Sequence, residues 1–532
     1  MMRKLSLLGI AMFTCLAGFA ANYIGDGPDA GRTGWVKDEK VFNKTNVKTM
    51  KLLWKVKLES VTRQMHNLFP PTVVENVTTT TGPKEIAVVS GITDDLWAFD
   101  TATGKQLWHK HFDSTFDENA AGGRGGSTLC PGGQLATPVI GPGSGAGKFT
   151  LYSVSWDGRL RQVNVADGED MALPTKFMPP NGKPWSLNLV NGVLYTATSQ
   201  GCGGVPNEFF SFDLATKKAS ALQPAGGGMW GRRGVAVASD GTIYMGTGDG
   251  HYDPDNKTLG NSIVAAKLDD NKQLQLTGWF APPNVNWLWH RDLDVNVSPM
   301  VIDYKGKHLL FGTSKECRIW MVDRDVMAGT TPPFDKHQEM LDRTVQICNP
   351  ATRYDAAGVW GAMATWIDPM GQLYLAVPFL GPLTDVYHSP IEIGKPELGG
   401  VAVLKVEETG GKWKMTPVWS YGDIDQGDEA IYMNGILWVN GAGEDTYQSN
   451  PDVAWNEAPR KPPIGANNQT GNRLGNSRHA TIYAFDATNG KLLWSSGDQI
   501  TSWNHGSGMT AINGKAYIGT FDGTFYCFGV AK

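Results

Sequence analysis

Two stretches nearly four hundred residues apart repeat one pattern. Leu96-Trp97-Ala98-Phe99-Asp100-Thr101-Ala102-Thr103-Gly104-Lys105-Gln106-Leu107-Trp108 and Ile482-Tyr483-Ala484-Phe485-Asp486-Ala487-Thr488-Asn489-Gly490-Lys491-Leu492-Leu493-Trp494 both read Ala-x-Asp-x-x-x-Gly-x-x-x-Trp. An alternating strand ends at the Asp, a Gly-containing turn reverses the chain, and the Trp begins the return strand with its ring buried. A chain that repeats one hairpin must bury each copy against the next.

Degenerate copies lie between these two. They occur at Val163 to Gly168, Phe210 to Thr216, Ala265 to Asp269, Ile319 to Asp323, and Val401 to Val406 followed by Trp419. The last copy, Gly523 to Phe528, runs into the C-terminus with no return strand. Near the N-terminus, Lys51-Leu52-Leu53-Trp54-Lys55-Val56-Lys57-Leu58 is a Trp-bearing return strand with no hairpin before it. Pairing the two closes a ring and protects both sheet edges. Length alone would suggest three or four domains at about 150 residues each. The repetition predicts instead one all-β domain over 21–532, a single eight-bladed propeller of four-stranded antiparallel blades closed by the N-terminal strand.

Composition narrows the function. The net charge is −5 and aromatic residues make up 10% of the chain, which excludes a basic nucleic-acid binder and a disordered one. Residues 1–20 read as a signal peptide: Arg3 and Lys4 lead an apolar run, and Gly18-Phe19-Ala20 supplies a small-residue cleavage site. No other stretch is long and apolar enough to span a bilayer. The expected location is periplasmic or secreted. Beyond Cys15 stand Cys130, Cys202, Cys317, Cys348 and Cys527, with neither a CxxCH haem signature nor paired CxxC zinc spacing. One or two disulfides fit an exported chain, and spacing alone leaves their pairing open.

The repeats resemble those of the quinoprotein alcohol dehydrogenase-like superfamily, over roughly residues 30 to 530. That resemblance implies an eight-bladed propeller carrying pyrroloquinoline quinone (PQQ) on its axis. Residues that open the innermost strands line such a channel: His66, Gln134, Trp185, Trp230 with Arg232 and Arg233, Asp292 and Asp294, Trp360, and His505. Aromatic faces and cations suit a flat anionic ligand. Gly226-Gly227-Gly228-Met229-Trp230-Gly231 matches the segment whose Trp underlies the quinone. Tyr244-Met245-Gly246-Thr247-Gly248-Asp249 resembles the strand that carries a calcium ligand, making Asp249 the candidate metal residue. Ser314-Lys315 resembles the strand whose Lys or Arg meets the quinone oxygens. The implied cofactor contacts are Trp230, Lys315, Arg232 and Trp360.

Other positions depart from that pattern. Cys202 stands near a calcium-binding Glu of the enzymes, and a thiol is a poor calcium ligand, which argues against the usual metal. Trp289 takes the position of the catalytic Asp, leaving His290, Asp292 and Asp294 just beyond it as candidate bases. The adjacent Cys-Cys pair of the enzymes is missing. Three readings stand. One is a diverged PQQ-type oxidoreductase acting on an alcohol, sugar or related hydroxy compound, without haem and with a separate electron acceptor. Another is a non-catalytic propeller that binds a protein or cell-surface component. The third is a cofactor-free binding or hydrolytic site on the same axis. The Asn-, Pro- and Gly-rich insertion between Ala442 and Arg478 reads as a loop at one channel mouth.

Overall fold

The computed structural model describes residues 22–114, 129–134, 136–224, 227–248, 250–256, 258–329, 336–349, 358–395, 397–445, 474–506 and 508–530. The signal segment, Asp249 and most of the 442–478 insertion lie outside them.

Among the described residues, eight blades follow one another along the chain, each wound from the inside outwards, and a two-stranded ribbon pairs Tyr252–Asp253 with Thr258–Leu259. Blade 1 runs through Thr72–Thr79, Gly82–Gly91, Asp95–Asp100 and Gln106–His111. The innermost strands of blades 2 and 3 are Val139–Pro142 and Asn188–Val190. Blade 4 opens with two short pieces, Gly228–Trp230 and Ala236–Val237, paired to the same second strand. Met300–Tyr304, Ala364–Ile367, Gly427–Met433 and Met509–Ile512 open blades 5 to 8. Blade 6 adds a fifth strand, Ile391–Ile393, parallel to its outer edge.

The eighth blade is completed from the N-terminus. Lys51–Lys57 pairs antiparallel with Thr524–Gly529, placing Trp54 opposite Cys527 and Lys55 opposite Tyr526. The closure expected from the sequence is therefore present. Apolar side chains fill the wedges between blades: Leu309, Phe311 and Met321 of blade 5 share a core with Leu375, Leu404 and Met415 of blade 6.

The repeat works between blades rather than within one hairpin. The Trp on the outer strands of blades 8, 1 and 6 docks on the turn of the next blade. Trp54 of blade 8 donates its indole N–H to Thr101 O of blade 1 at 3.0 Å. Trp108 of blade 1 reaches Val165 O of blade 2 at 2.9 Å, and Trp419 of blade 6 reaches Ala487 O of blade 7 at 2.9 Å. The turn Gly is what admits the ring. Gly490 has φ +73°, and a Cβ there would lie 2.6 Å from the Trp419 ring. Gly104 stands in the same relation to Trp54, and Gly168 to Trp108. The Asp four residues earlier fixes the turn, with Asp100 Oδ1 accepting from Ala102 N at 3.0 Å.

The inter-blade reading separates two kinds of glycine. Gly410 also has positive φ, but a Cβ there meets nothing within 4 Å. Gly490→Ala should destabilise the protein by about 1–3 kcal/mol more than Gly410→Ala, because only the first overpacks a buried ring. Equal losses in chemical denaturation would contradict the docking account.

Candidate functional site

Between the N-terminus and the first closing strand, the chain makes a circuit of the channel. Tyr23 exchanges two backbone hydrogen bonds of 2.8 Å with Val73 of blade 1, and Ile140 N of blade 2 donates to Ile24 O at 2.7 Å. The Ala30 carbonyl accepts from Asn188 Nδ2 of blade 3 at 3.0 Å and from Val237 N of blade 4 at 2.8 Å. Gly31, Thr33 and Gly34 carbonyls then accept from Val301, Thr365 and Tyr432 of blades 5, 6 and 7. Glu39 finally takes the Asn513 N–H of blade 8. Glycines allow the close passage: a Cβ on Gly31 would lie 2.6 Å from Val301 O.

This segment brings Asp26 and Arg32 into the middle of the ring. Arg32, 2% exposed, donates to the carbonyls of Asp26, Leu187 and Val235. Burial pulls its guanidinium down to about 10, opposed by Asp26 and Asp29, so it stays cationic at neutral pH. Asp26 accepts from Ser186 Oγ at 2.9 Å and lies 3.9 Å from Arg232 Nε.

Arg232 defines the axis. It leaves blade 4 and ion-pairs with Asp428 and, at 3.5 Å, with Glu429, both on blade 7. Arg233 follows it, bonding Glu429 at 2.7 Å and the Met363 and Ala430 carbonyls at 2.9 Å. Only side chains that cross the channel can join these blades. Blade 8 closes over them, since a Cβ on Gly508 would meet Glu429 Oε2 at 2.0 Å and Arg232 Nη2 at 3.0 Å. Even so, Nε and Nη2 of Arg232 are buried without a hydrogen-bond acceptor.

Two aromatic–cation clusters flank this network. In the first, Trp185 and Trp230 pack with ring centroids 5.7 Å apart, and Lys183 Nζ lies 5.2 and 5.5 Å from the two rings. Trp185 donates to Met229 O at 2.6 Å, whereas the buried indole N–H of Trp230 has no acceptor. Lys183 also donates to Leu129 O at 2.8 Å, and the same carbonyl lies 3.8 Å from Cys202 Sγ. Cys202 is bonded to Cys130, so a disulfide adjoins the Trp230 cluster, and its sulfur is unavailable to a metal. In the second cluster, Lys315 Nζ pairs with Asp294 Oδ2 at 2.9 Å and lies 5.0 Å from the Trp360 ring centre. Lys315 and Asp294 are 9% and 2% exposed in their side chains, so Lys315 is no solvated surface lysine.

Two other candidates lie on the segment just before Asp294. His290 ends the short helix Val285–His290, exposed, with its ring against Trp289 at 4.6 Å. Asp292 is half-buried in the turn that follows, with φ +58°. Sequence reasoning passed over Asp26, Arg32, Lys183, Asp428 and Glu429. One signal was present: Gly25, Gly27, Gly31 and Gly34 stud a polar stretch that no repeat explains.

Rings, cations and buried N–H donors are the groups a planar anionic ligand would meet. Trp230 and Arg232 offer buried N–H groups without acceptors, beside rings and cations. Among the described residues no three His, Cys, Asp or Glu side chains are grouped for a metal ion, and Asp249 lies outside them.

No protein-family profile matches the sequence, and no curated protein matches it. Solved structures do match in shape. A quinohemoprotein alcohol dehydrogenase from Comamonas testosteroni superposes with TM-score 0.54 at 15% identity, over 96% of this chain and 81% of that one. The quinohemoprotein alcohol dehydrogenase ADHIIG from Pseudomonas putida HK5 gives 0.59 at 13% identity, over the same shares. A europium-containing methanol dehydrogenase gives 0.56 at 12% identity, over 96% of this chain and 98% of that one. The chain has the eight-bladed fold of these quinoproteins at a low sequence identity.

Two measurements check the site's construction. Arg232→Met leaves three carboxylates around a lost cation and should cost about 3–5 kcal/mol. Lys44→Met breaks the more exposed pair with Asp486 and should cost about 1 kcal/mol or less. The second is alkylation of the five cysteines beyond Cys15. Cys130–Cys202 and Cys317–Cys348 are bonded and Cys527 is free, buried, and has its thiol pushed up by burial. Of these five, the native protein should label none, the unfolded unreduced protein Cys527 alone, and the reduced protein all.

Proposed function

We propose that the axial site binds a planar, anionic aromatic cofactor of the PQQ type and that the chain is an oxidoreductase for an alcohol, sugar or related hydroxy compound. The observation that carries this reading is the Lys315–Asp294 pair beside Trp360. A buried ion pair contributes little to stability once its desolvation is counted, so a buried pair among candidate site residues is a candidate for chemistry. Bound PQQ would supply a two-electron acceptor. The chain's part is to hold and polarise: Trp230 gives a stacking face and an N–H donor, and Lys183 and Arg232 give cations. Lys315 places a positive charge for a developing oxyanion, and Asp294 fixes that ammonium beside the Trp360 ring. His290, exposed at the end of its helix, and the half-buried Asp292 are, with Asp294, the candidate bases for the substrate hydroxyl.

The Cys130–Cys202 disulfide favours a second reading. It consumes a sulfur near where the resemblance puts a calcium-binding carboxylate, which suits a propeller that binds a partner without catalysis. Both readings place the protein in an oxidising compartment, periplasmic or secreted, as two disulfides and the N-terminal apolar run suggest. The oxidoreductase reading adds a separate electron acceptor, since the sequence has no haem signature.

Titration of the purified protein with PQQ, with and without calcium, separates them. The oxidoreductase reading expects a change in quinone absorbance and a rise in Tm, nearly independent of calcium. Trp230→Ala should weaken binding by about 1–3 kcal/mol, roughly 5- to 150-fold. Lys315→Ala should lower turnover more than binding. Neither an absorbance change nor a Tm shift at saturating PQQ would leave the non-catalytic reading.

A further inference from the structure

We propose that a cavity between blades 4 and 5, away from the axis, binds a planar heteroaromatic ring of indole size. The proposal is independent of the axial cofactor and starts from the outer strands. In blades 1, 6, 7 and 8 the pairing of the third and outer strands skips one aliphatic residue: Leu107, Val418, Leu493 and Leu53. The next residue is Trp108, Trp419, Trp494 or Trp54, and each indole N–H donates to a backbone carbonyl beyond its own blade. Blade 4 has the same bulge with different residues. Ala265 of its third strand, Ile263–Leu268, pairs with Gly278 and Ala266 with Leu276, so Thr277 is skipped and Gly278 stands where the ring would be. Trp279 points to the opposite face, where its indole N–H reaches Tyr252 Oη at 3.1 Å.

A cavity of about 320 Å³ lies beside that row, bounded by Tyr244, Ala265 and Thr277 of blade 4 and by His308, Arg324 and Asp325 of blade 5. Tyr244 pairs with Ala265 and Ala265 with Gly278, so the cavity sits on the row that Gly278 ends. Its far wall is the blade 5 turn, where Arg324 follows Asp323 as Thr101 follows Asp100 in the turn that receives Trp54. Both halves of a docking slot are thus present without the ring. Blade 5 also has no Trp at the matching position, but Asp342 there takes the Met415 N–H of blade 6 at 2.6 Å. The volume is at the lower end of small-ligand sites, with room for one bicyclic ring.

The lining selects a flat, neutral ring with a polar edge. The buried Tyr244 supplies an aromatic wall, with Arg324 Cζ 5.8 Å from its ring centre. The Leu309 carbonyl and the Asp303 carboxylate hold that guanidinium in place, where it can meet the π face of a second ring. Thr277 Oγ1 is buried without a hydrogen-bond partner, which leaves an acceptor for a ring N–H. Two carboxylates stand at the exposed mouth, and each already has a cation: Asp325 pairs with His308 and Asp240 with Lys267. Neither calls for a charged ligand. An indole-type ring therefore repeats from outside the contact that Trp108 and Trp419 make from within.

Calorimetric titration of the full chain with indole and with 1-methylindole, which lacks the N–H, tests it. Indole should bind with a Kd of about 0.1–1 mM, and 1-methylindole about fivefold or more weakly. Thr277→Val keeps the side-chain shape, should weaken indole by about fivefold or more, and should bind the two probes alike. Gly278→Trp supplies the ring from the chain itself and should abolish binding; φ at Gly278 is not positive, so the backbone accepts a side chain. Should Gly278→Trp not fold, Thr277→Val decides. No binding of indole at several millimolar, equal affinity of the unaltered protein for the two probes, or undiminished binding in either variant overturns the proposal.

Discussion

A ring of eight blades holds only if its first and last strands meet. Here seven residues, Lys51–Lys57, supply the edge that Thr524–Gly529 lacks, and Trp54 then docks on the turn of blade 1 as Trp108 and Trp419 dock on their neighbours. An unclosed ring would expose two strand edges and leave one Trp and one Gly turn unmatched. Closure also sets the geometry of everything on the axis. Arg232 of blade 4 and its partners on blade 7 are more than a blade apart in the ring, and they meet only because the circle is complete.

The same N-terminal stretch that leads to the closing strand also finishes the channel. Residues 22–39 hydrogen-bond to each blade in turn and deliver Asp26 and Arg32 to the buried charge network. One segment therefore serves both the closure of the ring and the buried charge network. The charges there are closely balanced, with Arg32, Arg232 and Arg233 facing Asp26, Asp428 and Glu429. Such a network is worth little when complete and costs much when broken. It ties blades 4 and 7 together across the ring.

The architecture was legible because it is periodic. The Ala-x-Asp-x-x-x-Gly-x-x-x-Trp pattern, its degenerate copies and the orphan strand around Trp54 together specify blade count and closure. The direction of docking was not legible, since a Trp four residues after a Gly looks like part of the same hairpin until Gly490 is found against Trp419. Of the candidate site residues, Trp230 packs with Trp185 and Lys183, Lys315 with Asp294 and Trp360, and Arg232 with Asp428 and Glu429. Lys183, Asp428, Glu429 and the Cys130–Cys202 bond depend on contacts between blades that no local pattern encodes. The N-terminal circuit is irregular backbone and carries no period, so only its glycines hinted at close passage.

The central claim is that the axis holds a planar cofactor between these clusters. A crystal structure of the protein grown with PQQ tests it most directly. The account predicts flat density lying on the Trp230 ring, with Lys315 Nζ and an Arg232 N–H within hydrogen-bonding distance of its oxygens. Density elsewhere on the surface, or an axis filled by the protein's own side chains with no room on Trp230, would contradict it.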